Sequence, residues 1–541
     1  MVGSVPISIF NDVIGPVMRG NSSSHCAAAL RIGRLARDLM DGDLTSVLVE
    51  FDRAGSLPTT HESQGSDMGL CGGLLGWDAA DDRLPESPQW LHEAGIRLDF
   101  AVVDSHDPHP NTYRLTLRGS RRAHSLAAVS TGGGMIEVTR IDGVPVSIGG
   151  DCYVTLLFFP EEGAPAGTAK STAVLAERLA ASFPGSEVRA HGTGARRLLE
   201  VRGDAFLDGR KLAMLVGHAP GLEICHLAPV LPVLSRPGIH LPFETCEQLL
   251  AHDAGRGLPL WRWAVEYERE RGGLTEDEVV ARMLEIVRIL RRSVALGLAG
   301  THFDDRLLGH QSGAFGQLMD QRRLVEAGAV NRAILYTTAL MEVKSAMGLI
   351  VAAPTAGACA ALPGACIAVA EEAGLSEEAM ARAMLAAGLV GVFIASQWTF
   401  AAEVGGCQAE GGAAAAMAAA AIVTLKGGTL AQAVAAPSLA LQGMLGLTCD
   451  PVASRVEVPC LSKNILGAVN AIACANMALA GFDPVIPFDE VVDAARRVGD
   501  QLPRELRCTA LGGLSTTPTS VRLEGELAAR LGARRASRSS G

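Results

Sequence analysis

The chain has 541 residues, 48% of them hydrophobic but only 4% aromatic, and a formal net charge of −11. That length makes two to four domains with ample core. The acidic balance argues against a nucleic-acid or anionic-membrane binder and leaves a small-molecule enzyme or regulatory protein.

The 12 cysteines include no CxxC pair, which disfavours a disulfide scaffold and zinc-finger-type sites. The opening "MVGSVPISIFNDVIGPVMRG" lacks a charged region followed by a long apolar core. No signal peptide is expected, and a reducing cytoplasm is the expected compartment. Segments 345–370, 383–402 and 427–449 carry no Asp, Glu, Lys or Arg and are long enough to span a bilayer. Their Pro, Gly, Ser, Thr and Gln content, with Trp398 alone to serve an interfacial belt, reads instead as buried helices of a large domain.

In chain order, 1–150 mixes strands and helices in an α+β pattern. Apolar spacing predicts a helix over 27–40 and a strand over 44–52. Strands over 97–105 and 112–119 flank the turn "DPHPN". Residues 151–237 alternate as βαββαβ, the order of a small ferredoxin-like sandwich. Residues 238–525 are predominantly helical. Thr275 is a predicted N-cap, with acids in the first turn that follows. The basic, polar tail 526–541 is expected to be disordered.

Several motifs could carry chemistry. Cys407 in "GGCQAE", Cys449 in "GLTCDP" and Cys460 in "EVPCLSKN" each lie beside Gly or Pro, hence on turns. Cys407 and Cys460 precede helices, where free N–H groups stabilise a thiolate. Thiolates bind iron–sulfur clusters, yet an arbitrary cysteine is more often a packed small residue. Spacings of 42 and then 11 positions decide nothing alone. Cys359, Cys366 and Cys474 sit in apolar stretches and read as structural. "GNSSSHCAAALRIG" sets three serines and His25 ahead of a helix. That is either a carboxylate site or a serine cap with a surface histidine. His109 and Asn111 sit on a Pro-braced turn, where the histidine is a proton carrier or has no role. Thr355 and Gly357 open a helix, as an anion site or as helix packing.

Taken together these motifs resemble the iron–sulfur-dependent L-serine dehydratases, over almost the whole chain. "GPVMRGNSSSH", "AGSLPTTHESQGSD", "HPNT", "IVAAPTAGACAALPGA", "GGCQAE", "LGLTCDPVASRVEVPC", "NAIACANMALAG", "VIPFDEVVDA" and "LRCTALGGLSTTPT" correspond to successive family signatures. The resemblance implies a β-type domain, an ACT-type middle domain, and an all-α catalytic domain carrying a [4Fe–4S] cluster on Cys407, Cys449 and Cys460. One iron is then open to act as a Lewis acid on serine, which loses water and then ammonia to give pyruvate.

Ser22, Ser23, Ser24, His25, Thr355 and Gly357 would bind substrate, and His109 and Asn111 would line the site. The glycines beside Cys407 would leave room for the cluster. A homodimer is implied. The family's GHGTD reads "SQGSD" here, so Gln64 replaces a candidate base that Gln cannot replace chemically. His61 is the nearest substitute. "WTFAAEVGG" departs from the family's serine-containing segment, and Lys344 stands where Asn is usual. The chain ends in Gly541 rather than in a cluster-capping cysteine, and Cys508 is not expected to be a ligand. These changes leave open another β-hydroxy amino acid as substrate, or a non-catalytic ligand-binding homologue.

Overall fold

In the computed structural model, residues 6–159, 168–192, 197–217, 221–236 and 239–539 are described. The first unit is built on a six-stranded sheet. Its strand order is Arg97–Val103, Ser46–Asp52, Thr112–Arg118, Ala123–Gly132, Met135–Ile141, Val144–Ile148, with only the first pair parallel. Helices Ala28–Leu39 and Ser66–Leu74 pack their apolar faces on it through Leu35, Leu39, Leu70 and Leu74. The last three strands were not anticipated from sequence. Along Ala123–Gly132, Ala128, Ser130 and Gly132 occupy buried positions where bulky β-formers would have signalled a strand.

The middle unit is a four-stranded antiparallel sheet in the order Glu223–Leu227, Tyr153–Phe159, Arg197–Gly203, Glu187–His191. Side chains alternate between its faces, as period-2 geometry demands. Leu157, Leu199 and Val201 pack under helices Thr168–Ser182 and Gly209–Val216. Val154, Leu156, Leu198 and Leu227 join the core of the first unit. At that junction His124 Nδ1 lies 2.7 Å from Asp142 and Nε2 3.5 Å from Glu223. Arg122 also reaches Glu223 (3.0 Å) and the Cys225 sulfur (3.4 Å), filling the gap between these groups with positive charge. Burial opposes a charged His124, but Asp142 and Cys225 outweigh it and push its pKa from 6.5 up to about 10. The junction's contribution is therefore full below pH 6.5 and fades as pH rises through about 10. His124→Gln is expected to cost about 1–3 kcal/mol, with a deficit that shrinks toward alkaline pH, as urea titrations would show.

The helical unit surrounds Ala413–Leu425, in which every residue from Ala413 to Val423 is buried. Alanine side chains let Glu377–Ala395, Leu430–Gln442, Ala361–Glu372 and Cys460–Leu479 pack directly around it. Among the described residues two helices, Glu377–Ala395 and Gln408–Leu425, are long and apolar enough to cross a membrane, but 78% and 83% of their apolar windows are buried inside the fold. The predicted cap at Thr275 is present as a reciprocal capping box with Glu278, opening Glu276–Ala299.

Two boundaries differ from the sequence expectation. Residues 6–18 lie in the helical unit, not with the sheet. Ile9 and Val13 press on Gly388 and Gly391, where an added Cβ would meet them at 2.5 and 2.1 Å. Buried Glu268 accepts from Ser8 Oγ (2.5 Å) and Ile9 N (2.9 Å), and Val17–Met18 pairs with Ile350–Val351. The segment expected to be a disordered tail from 526 is instead part of helix Pro518–Ser539. Proline at its first position favours that start, and Leu523 and Leu527, one turn apart, seat it on Val452 and Ala453. Residues 540–541 lie outside the described residues.

Candidate active site

The strap of residues 6–18 delivers the serine loop into the helical unit. Ser22, Ser23 and Ser24, Gln64, Thr355, Gly357, Glu403, Glu410, Cys449, Cys460 and Cys508 line one small buried cavity. Two of its walls are π-helical turns, Ser23–Ala27 and Gln408–Gly412. A wider helical turn of this kind shifts the side chains that follow and is common where a helix end is used functionally.

The thiols come from three places. Cys407 caps the continuous helix that begins at Gln408, and Cys460 is the first residue of Cys460–Leu479. Cys449 lies on a loop bridged to Arg507. Its side chain packs with those of Cys407 and Cys508. Sulfur and carboxylate atoms of Cys407, Glu410 and Cys449 lie within 4.8 Å of one another. Hydrogen bonds from Cys407 and Cys508, with burial, raise the Cys449 pKa; burial raises that of Cys460. Lys463 Nζ, paired with Asp450 at 2.8 Å, sits 3.7 Å from Cys407 Sγ. All 12 cysteines are free and buried.

The donor set fits an iron–sulfur group. Clustered thiols are the ligands that soft metal centres select. Metal binding supplies the deprotonation that burial alone resists, and Lys463 offsets part of the resulting negative charge. The glycines beside Cys407 have a different reason than expected. A Cβ on Gly405 would strike Trp398 at 2.3 Å, and Gly406, at φ +71°, lies against the Leu447 carbonyl. They pack the loop from behind.

Around the thiols lies a network of oxygens. Thr355 Oγ1 donates to Glu410 Oε2 (2.6 Å), and Ala356 N donates to Ser23 Oγ (3.2 Å). Gly357 is where Glu410 needs space, since a Cβ there would stand 2.8 Å from its oxygen. Thr60 Oγ1 donates to the Ser56 carbonyl (2.7 Å), so it accepts from His25 Nε2 (2.8 Å). That fixes the His25 tautomer and leaves Nδ1 to accept from Ser22 (3.1 Å). Burial, then repulsion from His61, lowers the His25 pKa to about 3. The imidazole is therefore neutral, and its 3.6 Å contact with Glu403 is not an ion pair. Burial raises Glu403 to about 7, aided by nearby Glu410 and opposed by Asn111.

Among the residues expected at the site, the three serines, Thr355, Gly357, Cys449 and Cys460 line the cavity, Cys407 stands beside Cys449 and Glu410, and His25 backs the serine loop. Asn111 is buried, accepts from Ser56 Oγ and faces Glu403. His109 is a half-buried turn residue whose Nδ1 accepts from Asn111 N (3.2 Å). It does not line the cavity. His61 is also elsewhere. It pairs with Asp67 at 2.6 Å, stacks near Phe51 and Phe100, and lines an outer cleft with Arg455 and Asp305. Glu403, Glu410, Lys463 and Cys508 were missed. The first two had a signal, as isolated carboxylates in stretches otherwise free of charge.

Comparison with known proteins agrees with this geometry. The sequence model of the serine dehydratase alpha chain matches residues 255–515. The probable L-serine dehydratase alpha chain of Bacillus subtilis (strain 168) is 39% identical over 260 residues, covering 48% of this chain and 87% of that one. The probable beta chain from the same organism is 33% identical over 201 residues, covering 37% and 89%. The L-serine dehydratase alpha chain of Peptoniphilus asaccharolyticus is 33% identical over 269 residues, covering 50% and 92%. The fold and site are those of a multidomain lyase. The chain belongs to the L-serine dehydratase family.

Proposed function

We propose that this protein is an L-serine ammonia-lyase, converting L-serine to pyruvate and ammonia with a [4Fe–4S] cluster on Cys407, Cys449 and Cys460. The observation that carries this reading is the convergence of Cys449, Cys460, the Ser22–Ser24 loop, Thr355 and Glu403 on one buried cavity, with Cys407 beside Cys449. When bound, the cluster supplies a Lewis acid for the substrate's carboxylate and β-hydroxyl oxygens.

The chain's own residues do the rest. The serine hydroxyls orient the carboxylate, with Ser23 braced by Ala356 N. Neutral His25 holds Ser22 in place without adding charge. Glu403 is the base for the α-proton. It is buried, faces the cavity and is tuned near neutrality, where a general base works best. It takes the part for which His61 was considered, because His61 faces the outer cleft. The enclosed walls keep bulk water from the reacting carbon.

The middle sheet, with its two helices on one face, supports an ACT-type ferredoxin-like domain. Free buried thiols throughout suit a reducing cytoplasm. The net charge suits a small-molecule substrate without nucleic acid or membrane, and a homodimer is the assembly proposed.

A second reading keeps the chemistry and changes the substrate. Gln64 Oε1 is buried in the cavity wall and has no hydrogen-bond partner among the described residues, so it offers an acceptor to a donor on the substrate. The test is anaerobic reconstitution followed by keto-acid and ammonia release over serine, threonine and other β-hydroxy amino acids. Serine turnover with brown, iron-loaded protein is expected, and Cys460→Ala should lose both. Protein that takes up no iron would sink the reading; preference for another amino acid would select the second.

A further inference from the structure

We propose that the surface recess beneath Arg504 and Arg507 is the entrance through which the amino-acid substrate reaches the buried cavity, taken up there by its carboxylate. This rests on the reading that the buried cavity is the active site of an amino-acid lyase.

The recess has a volume of about 290 Å³. Ala54, Gly55, Ser56 and Pro110 of the first unit form one side, and Arg504, Arg507 and Thr509 of the helical unit form the other. Glu403 lines both the recess and the buried cavity, and among the described residues it alone does so. Its side chain is only 4% exposed, so it stands in the partition between the two spaces. The neighbouring segment divides in the same way, with Cys508 on the cavity and Thr509 on the recess. An amino acid held in the recess is therefore separated from the serine loop and the thiols by the Glu403 side chain.

The chemistry of the walls selects a carboxylate. Arg504 Nη2 donates to the Ala54 carbonyl across the recess (3.2 Å). Arg507 donates through Nε to the Leu502 carbonyl (2.7 Å) and through Nη2 to the Asp500 carbonyl (2.8 Å). Main-chain oxygens thus hold both guanidinium groups without cancelling their charge, and neither is ion-paired among the described residues. A guanidinium with N–H groups to spare matches the fork of a carboxylate. The segment that carries the arginines is itself fixed. Thr509 Oγ1 donates to the Arg504 carbonyl (3.1 Å), and Cys449 N donates to the Leu506 carbonyl (2.8 Å). The larger outer cleft is a poorer entrance for such a group. Its Arg455 and His61 are already paired with Asp305 and Asp67, and Glu62 and Glu524 add further acid to its walls.

The test compares full-length wild type, loaded anaerobically, with Arg504→Gln, Arg507→Gln, the double variant, Arg504→Lys and Ala54→Trp. Ala54 is exposed at the rim, where a tryptophan would plug the recess. The readouts are kcat and KM for L-serine, iron per chain, circular dichroism, and saturation-transfer NMR of L-serine on the protein before loading. Each arginine-to-glutamine variant is expected to raise KM about 3–5-fold, and the double variant about 10-fold, the scale of exposed ion pairs. kcat should stay within about 2-fold, because the arginines do not touch the reacting atoms. Arg504→Lys should restore most of the KM, and Ala54→Trp should lower kcat/KM about 10-fold with iron unchanged. A wild-type KM in the double variant, a fall in kcat with KM unchanged, or a wild-type kcat/KM in Ala54→Trp overturns the proposal. If the double variant does not fold, Ala54→Trp decides. Loaded wild type that turns over no serine, while L-serine still gives a transfer signal that the double variant loses, overturns the functional reading instead.

Discussion

Glu403→Gln is expected to lower kcat by about 10²–10⁴-fold while leaving iron content and the circular dichroism spectrum unchanged. Gln keeps the shape and the contacts with His25 and Asn111 but cannot take a proton. The wild-type pH profile should carry the signature of the same group. Burial holds the Glu403 pKa up at about 7, and only the ionised carboxylate is a base. kcat/KM should therefore rise with pH through about 7 and then level. Residual activity in the Gln variant should lack that rise. A variant within about 3-fold of wild type, with the rise retained, would remove Glu403 from the mechanism.

Lys344→Met should produce the largest loss of stability, roughly 3–5 kcal/mol. Lys344 is fully buried and donates to the Val456 carbonyl. Glu410 and Glu457 are buried carboxylates whose pKa values burial raises and Lys344 holds down. Removing the ammonium leaves Glu457 only its backbone N–H donors from Leu307 and Leu308, and Glu410 only Lys463 and the Thr355 and Cys407 contacts. The sign of the pH effect follows. Without Lys344 their folded-state pKa values rise further above the ordinary 4.5. Stability then survives at acid pH and falls as pH climbs through the raised values. The deficit against wild type should be greatest at alkaline pH and shrink on acidification, as urea unfolding at several pH values would show. A deficit independent of pH would mean that Lys344 acts through packing alone.

The elements most legible in the sequence were those with strong local signals. Thr275 with Glu278 three residues later marks its helix start, because a capping box is local chemistry. Cys407 and Cys460 stand at helix starts because glycine and proline punctuate the chain there. Ala123–Gly132 was missed because small residues fill its crowded face, whereas Met135–Ile141 and Val144–Ile148 carry β-branched residues around Asp142-Gly143, a hairpin signal that was legible in the sequence. The helix over Pro518–Ser539 was missed because its polar composition hides two leucines that matter only against Val452 and Ala453.

The catalytic assignment divides in the same way. The thiols and the serine loop were singled out by the resemblance of their motifs to the dehydratase family, since residue type and spacing alone left them open. Sequence could not show that His61 turns toward Asp67 and an outer cleft, or that Glu403 faces the cavity instead. Nor could it show that Cys508 lies beside Cys449, 59 positions earlier in the chain. A side chain's chemical identity is carried by its own position. Its direction, burial and proton affinity are set by neighbours that only the fold brings near, and those decided which groups share the cavity.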